Sequence, residues 1–447
     1  MTAHPLFQAQ RMMRDRREAA LRRGVVAVLD IGSDKVACLI LRVDPALLRA
    51  EARGGVGRLG GQGGLRVIGA NATRSRGVDL GEIVAMDEAE RAIRTTVQAA
   101  QKMAGERVDH VIACFSGGRP RSYGVTGTAE VEAGEVSEAD IGAAMAAAEL
   151  PDFGPGREAI HALPVNFTLD HRSGLTDPRG LTGLTLGVDM HMASVASFPL
   201  QNLLQCVRRC DLELSGVVLA SYASGLAAMV EDELELGAAC VDLGAQSTGL
   251  ALFLRRQMVH ADTVRLGGDH ITHDICQGLG VPLATAERIK AFHGGLLATG
   301  ADDRDMIEIP RAETDPGTER RQISRTELIG VIRPRMEEIL EEARARLDAA
   351  GFDLMPGQRI VLTGGGSQMP GTEELATRIL GRQVRLGKPL RIPGLPQAAT
   401  SAQFSAAVGL ALHVAQPQDE CWDFEMPLDR TGARRFRRAL RWFRENW

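Results

Sequence analysis

Two aspartates carry the chemistry that this sequence offers. Asp30 ends the apolar run Val25-Val26-Ala27-Val28-Leu29 and is followed by Ile31-Gly32-Ser33-Asp34-Lys35. Asp242 ends Ala238-Ala239-Cys240-Val241 and is followed by Leu243-Gly244-Ala245-Gln246-Ser247-Thr248. A tight turn of small residues exposes backbone N–H groups that can wrap phosphate oxygens. A carboxylate at each strand end suits a hydrated Mg²⁺, which keeps most of its waters and takes few protein ligands. Ser33 and Ser247 add hydroxyl donors, and Lys35 adds a neutralising charge. A third turn, Gly364-Gly365-Gly366-Ser367, has no Cβ at three positions, so its backbone can approach a flat group such as adenine. One aspartate-bearing turn is ordinary architecture. Two copies with a glycine triplet downstream are specific.

The turns need elements to hold them. Val25 to Leu29 reads as a buried strand, Val36 to Val43 as its hairpin partner, and the pattern recurs at Ala238 to Leu243 and Thr248 to Leu254. The copies VAVLDIGSDKVACLI and AACVDLGAQSTGLAL imply two related halves facing each other across a cleft. Helices are expected over 87–104, from Ser137 with its acidic first turn, over Gly371 to Leu380 and over Ala402 to Leu412, and a strand over Val108 to Phe115. Gly54 to Gly64 reads as an exposed loop, and the acidic, proline-bearing Gln416 to Asp429 as a linker. The arginine-rich start, with Leu6, Phe7, Met12 and Met13 forming no long apolar face, reads as a disordered tail.

Composition sets the outer limits. The chain has 447 residues, 44% hydrophobic and 24% charged, with a net charge of −5, which offers no bulk positive field to nucleic acid. No run of apolar residues is long enough for a spanning helix, and no apolar core follows the N-terminal arginines as a secretory signal requires. The seven cysteines, Cys38, Cys114, Cys206, Cys210, Cys240, Cys276 and Cys421, are scattered, as expected of buried reduced thiols.

The last eighteen residues differ from everything before them. On a helix, Ala433, Phe436, Leu440, Phe443 and Trp447 form one apolar face, with Trp442 at its margin and Arg434, Arg435, Arg437, Arg438, Arg441 and Arg444 beside it. Burying each large side chain contributes roughly 1.5–3 kcal/mol, and each arginine near anionic lipid about 1 kcal/mol. A helix docked on its own domain would not need six arginines, and a nucleic-acid tail would not need the stripe. The segment reads as an interfacial membrane helix.

Taken together, these residues resemble the actin, sugar kinase and heat-shock ATPase superfamily, and more closely the FtsA family of bacterial actin-like division proteins. Further stretches carry the resemblance: Ser75-Arg76-Gly77 with Gly81-Glu82-Ile83, Asp177-Pro178 with Gly180-Leu181-Thr182-Gly183, Glu231-Asp232-Glu233, Gly267-Gly268 with Asp274-Ile275, and Ala286-Glu287-Arg288-Ile289-Lys290. It implies an α/β, actin-like fold of two duplicated ribonuclease-H-like halves around a nucleotide cleft. A basic tail would occupy 1–23. The first-half core would span 24–82, 162–222 and 399–413, with an inserted subdomain at 83–161. The second-half core would span 223–268 and 346–398, with a small subdomain at 269–345. A linker at 414–429 and a membrane helix at 430–447 would follow.

The resemblance also implies roles. Asp30 to Lys35 and Asp242 to Thr248 become phosphate motifs and Gly364 to Ser367 the adenosine motif. Glu287 and Lys290 contact ribose or adenine, and ATP with Mg²⁺ is the cofactor. Tyr222 to Met229 and Ala402 to Leu410 become crossing helices at the hinge. The implied role is an adaptor that ties the FtsZ ring to the inner face of the cytoplasmic membrane at the division septum, polymerises there and recruits later division proteins. The C-terminal peptide of FtsZ would dock near 269–345, where Arg311, Arg320, Arg321, Arg325, Arg333 and Arg335 form a basic cluster.

One departure matters. The family's second phosphate motif is a glycine run with threonine and a later aspartate, whereas this chain has Ala245-Gln246-Ser247-Thr248-Gly249. Nucleotide binding with weak or undetectable hydrolysis is therefore expected, because placing the attacking water depends on this turn. Two alternatives stay open: a related membrane scaffold of the pilus-assembly PilM type, and a sugar-kinase-like enzyme, for which no general base stands out.

Overall fold

The computed structural model describes residues 8–48, 64–309, 321–354, 358–415 and 418–424. Helix α1 (Gln8–Arg23) precedes strands β1 (Val25–Ile31), β2 (Lys35–Val43) and β3 (Leu65–Arg74). A short hairpin, β4 (Val78–Asp79) with β5 (Glu82–Ile83), leads to α2 (Met86–Ala104) and β6 (His110–Phe115). Next come β7 (Arg121–Glu130), α3 (Glu138–Ala146), β8 (Arg157–Leu169), β9 (Arg172–Leu175) and β10 (Thr185–Ala196). Helix α4 (Ser197–Arg209) and β11 (Glu213–Leu219) close the first sheet, whose order is β11-β6-β1-β2-β3.

The second half begins with α5 (Ala220–Ala228) and α6 (Glu231–Leu236), then β12 (Ala238–Leu243), β13 (Thr248–Leu254) and β14 (Gln257–Val264). Helices α7 (Gly268–Leu279) and α8 (Leu283–His293), the pair β15 (Met306–Ile309) and β16 (Arg321–Ser324), and α9 (Arg325–Ala349) follow. Strand β17 (Arg359–Thr363), α10 (Thr372–Leu380) and β18 (Val384–Leu386) complete it, and α11 (Ser405–Ala415) returns to pack on the first half's core. The sheet order is β14-β13-β12-β17-β18.

The two sheets repeat one plan. In each, an antiparallel pair (β1–β2, β12–β13) extends to a third antiparallel strand on one side and to parallel strands on the other (β6, β17). The duplication read from the turns is thus a duplication of topology. Both leading strands are buried along nearly their whole length, which is why they read as continuous apolar runs rather than alternating ones. Their aspartates fall at the same end of the sheet, where each strand turns back.

The halves join where α5 and α11 cross. These helices are almost entirely alanine, glycine, serine and small aliphatics, and the backbones approach closely. A Cβ at Gly409 would lie 1.7 Å from the Ala223 carbonyl oxygen, and one at Gly225 would meet the Phe253 ring at 2.3 Å.

Three expectations need correction. The inserted subdomain does not start at 83. Helix α2 packs its Ala89, Ile93, Val97 and Ala100 face on the first sheet, so closely that a Cβ at Gly69 would lie 2.3 Å from the Ala100 carbonyl, and β6 pairs inside that sheet. The inserted layer is the sheet β7-β10-β8-β9 with α3 upon it. Its helix starts where expected, in a capping box between Ser137 and Asp140.

The N-terminal segment is not a disordered tail over 8–23. Helix α1 buries Met13 and Ala20, one heptad apart, against the first half, and Arg16 pairs with Glu213 at 2.7 Å. Nor is the acidic stretch a free linker over 418–424: Cys421, Trp422 and Phe424 belong to the inserted subdomain's core. Charge on Asp419, Glu420 and Asp423 hid an apolar triplet beneath it. All seven cysteines are unpaired, and six are buried. No helix among the described residues is long and apolar enough to cross a membrane. The glycine-rich loop over 54–63 and the helix expected over 430–447 lie outside the described residues.

Candidate functional site

A cleft of about 420 Å³ opens between the two sheets, and the duplicated turns form its walls. Asp30, Gly32, Ser33 and Lys35 line it from the first half, and Asp242, Gly244, Ala245, Gln246 and Ser247 from the second. Gly364, Gly365 and Gly366 follow β17, and Glu287 and Lys290 on α8 complete the lining. Two residues expected there do not line it. Thr248 is buried and its hydroxyl donates to the Leu266 carbonyl at 2.9 Å, while Ser367 is buried and donates to the Gly364 carbonyl at 2.8 Å. Both hold a turn in shape.

The two aspartates face a common space. Burial raises the Asp30 pKa above its ordinary value, and Lys35 opposes the rise only in part. Burial raises the Asp242 pKa to about 6 against the Ser224 hydroxyl, which donates to Oδ2 at 2.5 Å, and the Asp30 charge adds to the rise. Asp242 is open to the cleft on one side yet enclosed by protein on the others. Two enclosed carboxylates without an arginine partner are a donor set that favours a cation. They fit a hydrated Mg²⁺, which needs only one or two protein carboxylates. Gly364, with φ of +84°, lets this happen: a Cβ there would lie 2.3 Å from Asp242 Oδ1.

Other groups shape the rim. Lys35 Nζ donates to the Gln403 carbonyl and lies 5.0 Å from the centre of the Phe404 ring, which ties the first turn to the start of α11. Lys290 Nζ pairs with Glu287 at 3.0 Å and donates to Thr272 Oγ1 at 2.6 Å and to the Gly268 carbonyl at 3.2 Å. Asp269 also lines the cleft, its pKa raised by burial against the pull of Lys290.

Sequence reasoning passed over Asp269 as a cleft residue, although it follows Gly267-Gly268 directly. The first of those glycines is sterically required, because a Cβ at Gly267 would lie 2.6 Å from the Ala245 carbonyl. It also passed over the β4–β5 turn. Gly81 N donates to Ser33 Oγ at 3.0 Å and Leu80 N to Gln246 Oε1 at 2.6 Å, so this turn touches both phosphate-type turns.

The arginine cluster is less free than its sequence looks. Arg335 is held bidentately by Asp274 at 2.7 and 3.0 Å, bonds that raise its pKa, and it also pairs with Glu338. Arg333 pairs with Glu337 one turn away at 2.7 Å, and Arg325 with Asp302 and Asp305 at 3.7 and 3.6 Å. Arg321 is exposed, with one bond to the Leu279 carbonyl at 3.2 Å. Arg311 and Arg320 lie outside the described residues, as do Phe436, Leu440, Trp442, Phe443, Trp447, Arg434, Arg437, Arg438 and Arg441.

Comparisons agree with this geometry. The solved structure of a PilM–PilN type IV pilus biogenesis complex aligns with a TM-score of 0.57 at 17% identity, covering 88% of this chain and 99% of that one. Spiroplasma citri MreB5 bound to ADP aligns with a TM-score of 0.51 at 14% identity, over 87% and 95% of the two chains. These show a shared actin-like fold. The family model of cell division protein FtsA matches residues 239–409, and that of the SHS2 domain inserted in FtsA matches 117–194, in accord with the inserted layer β7 to β10. Cell division protein FtsA of Rhizobium meliloti is 41% identical over 95% of this chain and 96% of its own. That of Pseudomonas aeruginosa is 32% identical over 90% and 92%. The chain belongs to the FtsA family of cell division proteins.

Proposed function

We propose that this protein is an ATP-binding adaptor that anchors the FtsZ ring to the inner face of the cytoplasmic membrane at the septum, assembles there with further copies of itself and helps recruit later division proteins. The observation that carries the nucleotide part is the convergence of three turns, from two copies of one topology, on a single cleft with Asp30 and Asp242 at its floor. Bound Mg²⁺ would neutralise phosphate charge. Asp30 and Asp242 would hold its waters, and Ser33, Ser247 and the N–H groups of Ala245 and Gln246 would donate to phosphate oxygens, while the N–H groups of Gly32 and Gly244 close their own turns by donating to the Lys35 and Ser247 carbonyls. Gly364 to Gly366 would lie against the base, and Glu287 with Lys290 would meet ribose or adenine. Turnover is weak, because the second turn lacks the family's second and third glycines and later aspartate, and Gln246 is engaged by Leu80.

The membrane part is supported by the terminal amphipathic pattern, and the FtsZ part by family membership and by the basic residues over 311–335. Calorimetric titration of the full-length protein with ATP and Mg²⁺ tests the nucleotide part. Saturable binding should be lost in Gly365→Leu, because Gly365 lines the cleft and a Cβ there meets only Gln403, at 3.8 Å. Absence of binding in the wild type would sink it. Anisotropy of a labelled FtsZ C-terminal peptide tests the adaptor part.

A further inference from the structure

Between residues 418 and 424 the chain runs beside the hinge, and successive side chains are held by different parts of the molecule. Gln418 accepts from the Tyr222 hydroxyl on hinge helix α5 at 2.6 Å, and its Nε2 donates to the Arg256 carbonyl, in the β13–β14 turn of the second half, at 2.6 Å. Asp419 pairs with Arg179 of the inserted subdomain at 3.0 Å. Glu420 is buried, and its Oε2 accepts from Ala162 N at 2.8 Å. Its Oε1 lies 3.1 Å from His161 Nδ1, whose other nitrogen accepts from Leu219 N at 3.0 Å, so Nδ1 is the protonated one.

Beyond Glu420 the grip tightens. Cys421, Trp422 and Phe424 sit in the inserted subdomain's core, and the Arg179 guanidinium lies 5.6 Å from the centre of the Phe424 ring. From the other side, Arg11 of α1 donates to the Phe424 carbonyl at 2.6 Å and Arg14 to the Asp423 carbonyl at 3.2 Å. A buried carboxylate with every acceptor matched is costly to move, because displacement strands a charge. Two short bonds at Gln418 leave little slack, since a hydrogen bond weakens steeply within an ångström.

We propose that residues 418–424 are a strap tying the second half to the inserted subdomain, through which the relative position of the halves is felt at Trp422 and Phe424. Movement of the second half draws on Gln418, and the pull passes along the strap to Trp422 and Phe424, where α1 and Arg179 hold the exit. Nothing in this coupling depends on what the cleft holds.

Hydrogen–deuterium exchange of the full-length protein without nucleotide tests it in four forms: wild type, Arg179→Ala, Gln418→Ala and both together. Arg179→Ala should speed exchange over 418–424 roughly tenfold, as expected when one charge-assisted bond is lost from a local opening equilibrium. It should also speed exchange in the 254–258 turn, which Arg179 does not touch. Because Arg255 of that turn separately bonds Asn166 of the inserted subdomain at 3.2 Å, the double variant is decisive. If the strap is the route, Arg179→Ala adds nothing at 254–258 once Gln418 is gone. An effect of Arg179→Ala confined to the strap and inserted subdomain overturns the proposal. So does an additive effect at 254–258, or a wild-type strap exchanging at the unprotected rate.

Discussion

The backbone N–H of Leu80 donates to Gln246 Oε1 at 2.6 Å, across the gap between the two halves. Leu80 sits at φ of +48°, an uncommon conformation for a leucine, and the next residue, Gly81, donates to Ser33 Oγ. One two-residue turn therefore reads both phosphate-type turns at once. Replacing Gln246 by Ala removes the acceptor and leaves Leu80 N to water at a cost of about 1 kcal/mol. Exchange over 78–83 should rise, while α2, which packs on the first sheet and on α4, keeps its protection. Unchanged exchange at 78–83 would show that the turn is held by the first half only.

Asp242 makes stability depend on pH in a stated direction. Its folded pKa, pushed up to about 6 chiefly by burial, lies above the ordinary carboxylate value of 3.8. Between those values the folded state holds the proton and the unfolded state does not, so this group's contribution falls as pH rises through the window and is least favourable above pH 6. Asp242→Asn should therefore raise the melting temperature at pH 7.5 and leave it nearly unchanged at pH 4. A divalent cation between Asp30 and Asp242 would reverse the penalty in the wild type and not in the variant. Thermal melts with and without Mg²⁺ and ATP measure both.

How much of this was legible beforehand is clearest at three places. The strand-turn-strand copies were legible because buried strands ending in aspartate and glycine leave a local pattern of period and turn chemistry. The first boundary of the inserted subdomain was not, because α2 and β6 look alike whether they complete one sheet or begin another layer. Only pairing decides, and β6 lies beside β1. The ion pairs within the basic cluster were hidden for a related reason. Sequence shows charges in order, but Asp274 lies far from Arg335 in the chain and 2.7 Å from it in space.

That pairing separates two kinds of charge reversal. Arg335→Glu breaks a bidentate pair that is three-quarters buried and sets two carboxylates together, so it should cost about 1–2 kcal/mol. Its melting temperature should fall before any peptide is added. Arg321→Glu loses one bond to a carbonyl at the surface, so stability should hold while affinity for an acidic FtsZ peptide declines. Equal effects on peptide affinity, at equal stability, would place the peptide over Asp274 and Arg335 instead.

The hinge offers a steric test. Gly409→Ala places a methyl 1.7 Å from the Ala223 carbonyl, which no rotamer can relieve, so α5 and α11 must move apart. Overpacking of this kind costs about 1–3 kcal/mol or more. The cooperative melt should shift down by several degrees, with faster exchange at 220–228 and 405–415. A variant as stable as the wild type would mean that the crossing has slack.

The terminal segment carries the last prediction. On the helix expected over 430–447, six arginines would flank the apolar face, and each would contribute about 1 kcal/mol near an anionic surface, falling off within a Debye length. Sedimentation with vesicles containing anionic lipid should therefore capture the full-length protein, weaken as salt is raised and disappear on removal of 430–447. Trp447→Glu and Phe443→Glu should abolish capture at any salt, because they remove the apolar anchor and leave the arginines in place. Arg437→Glu with Arg441→Glu should weaken it mainly at low salt. If the charge variants abolish capture while the apolar ones do not, the segment binds by electrostatics alone and does not insert.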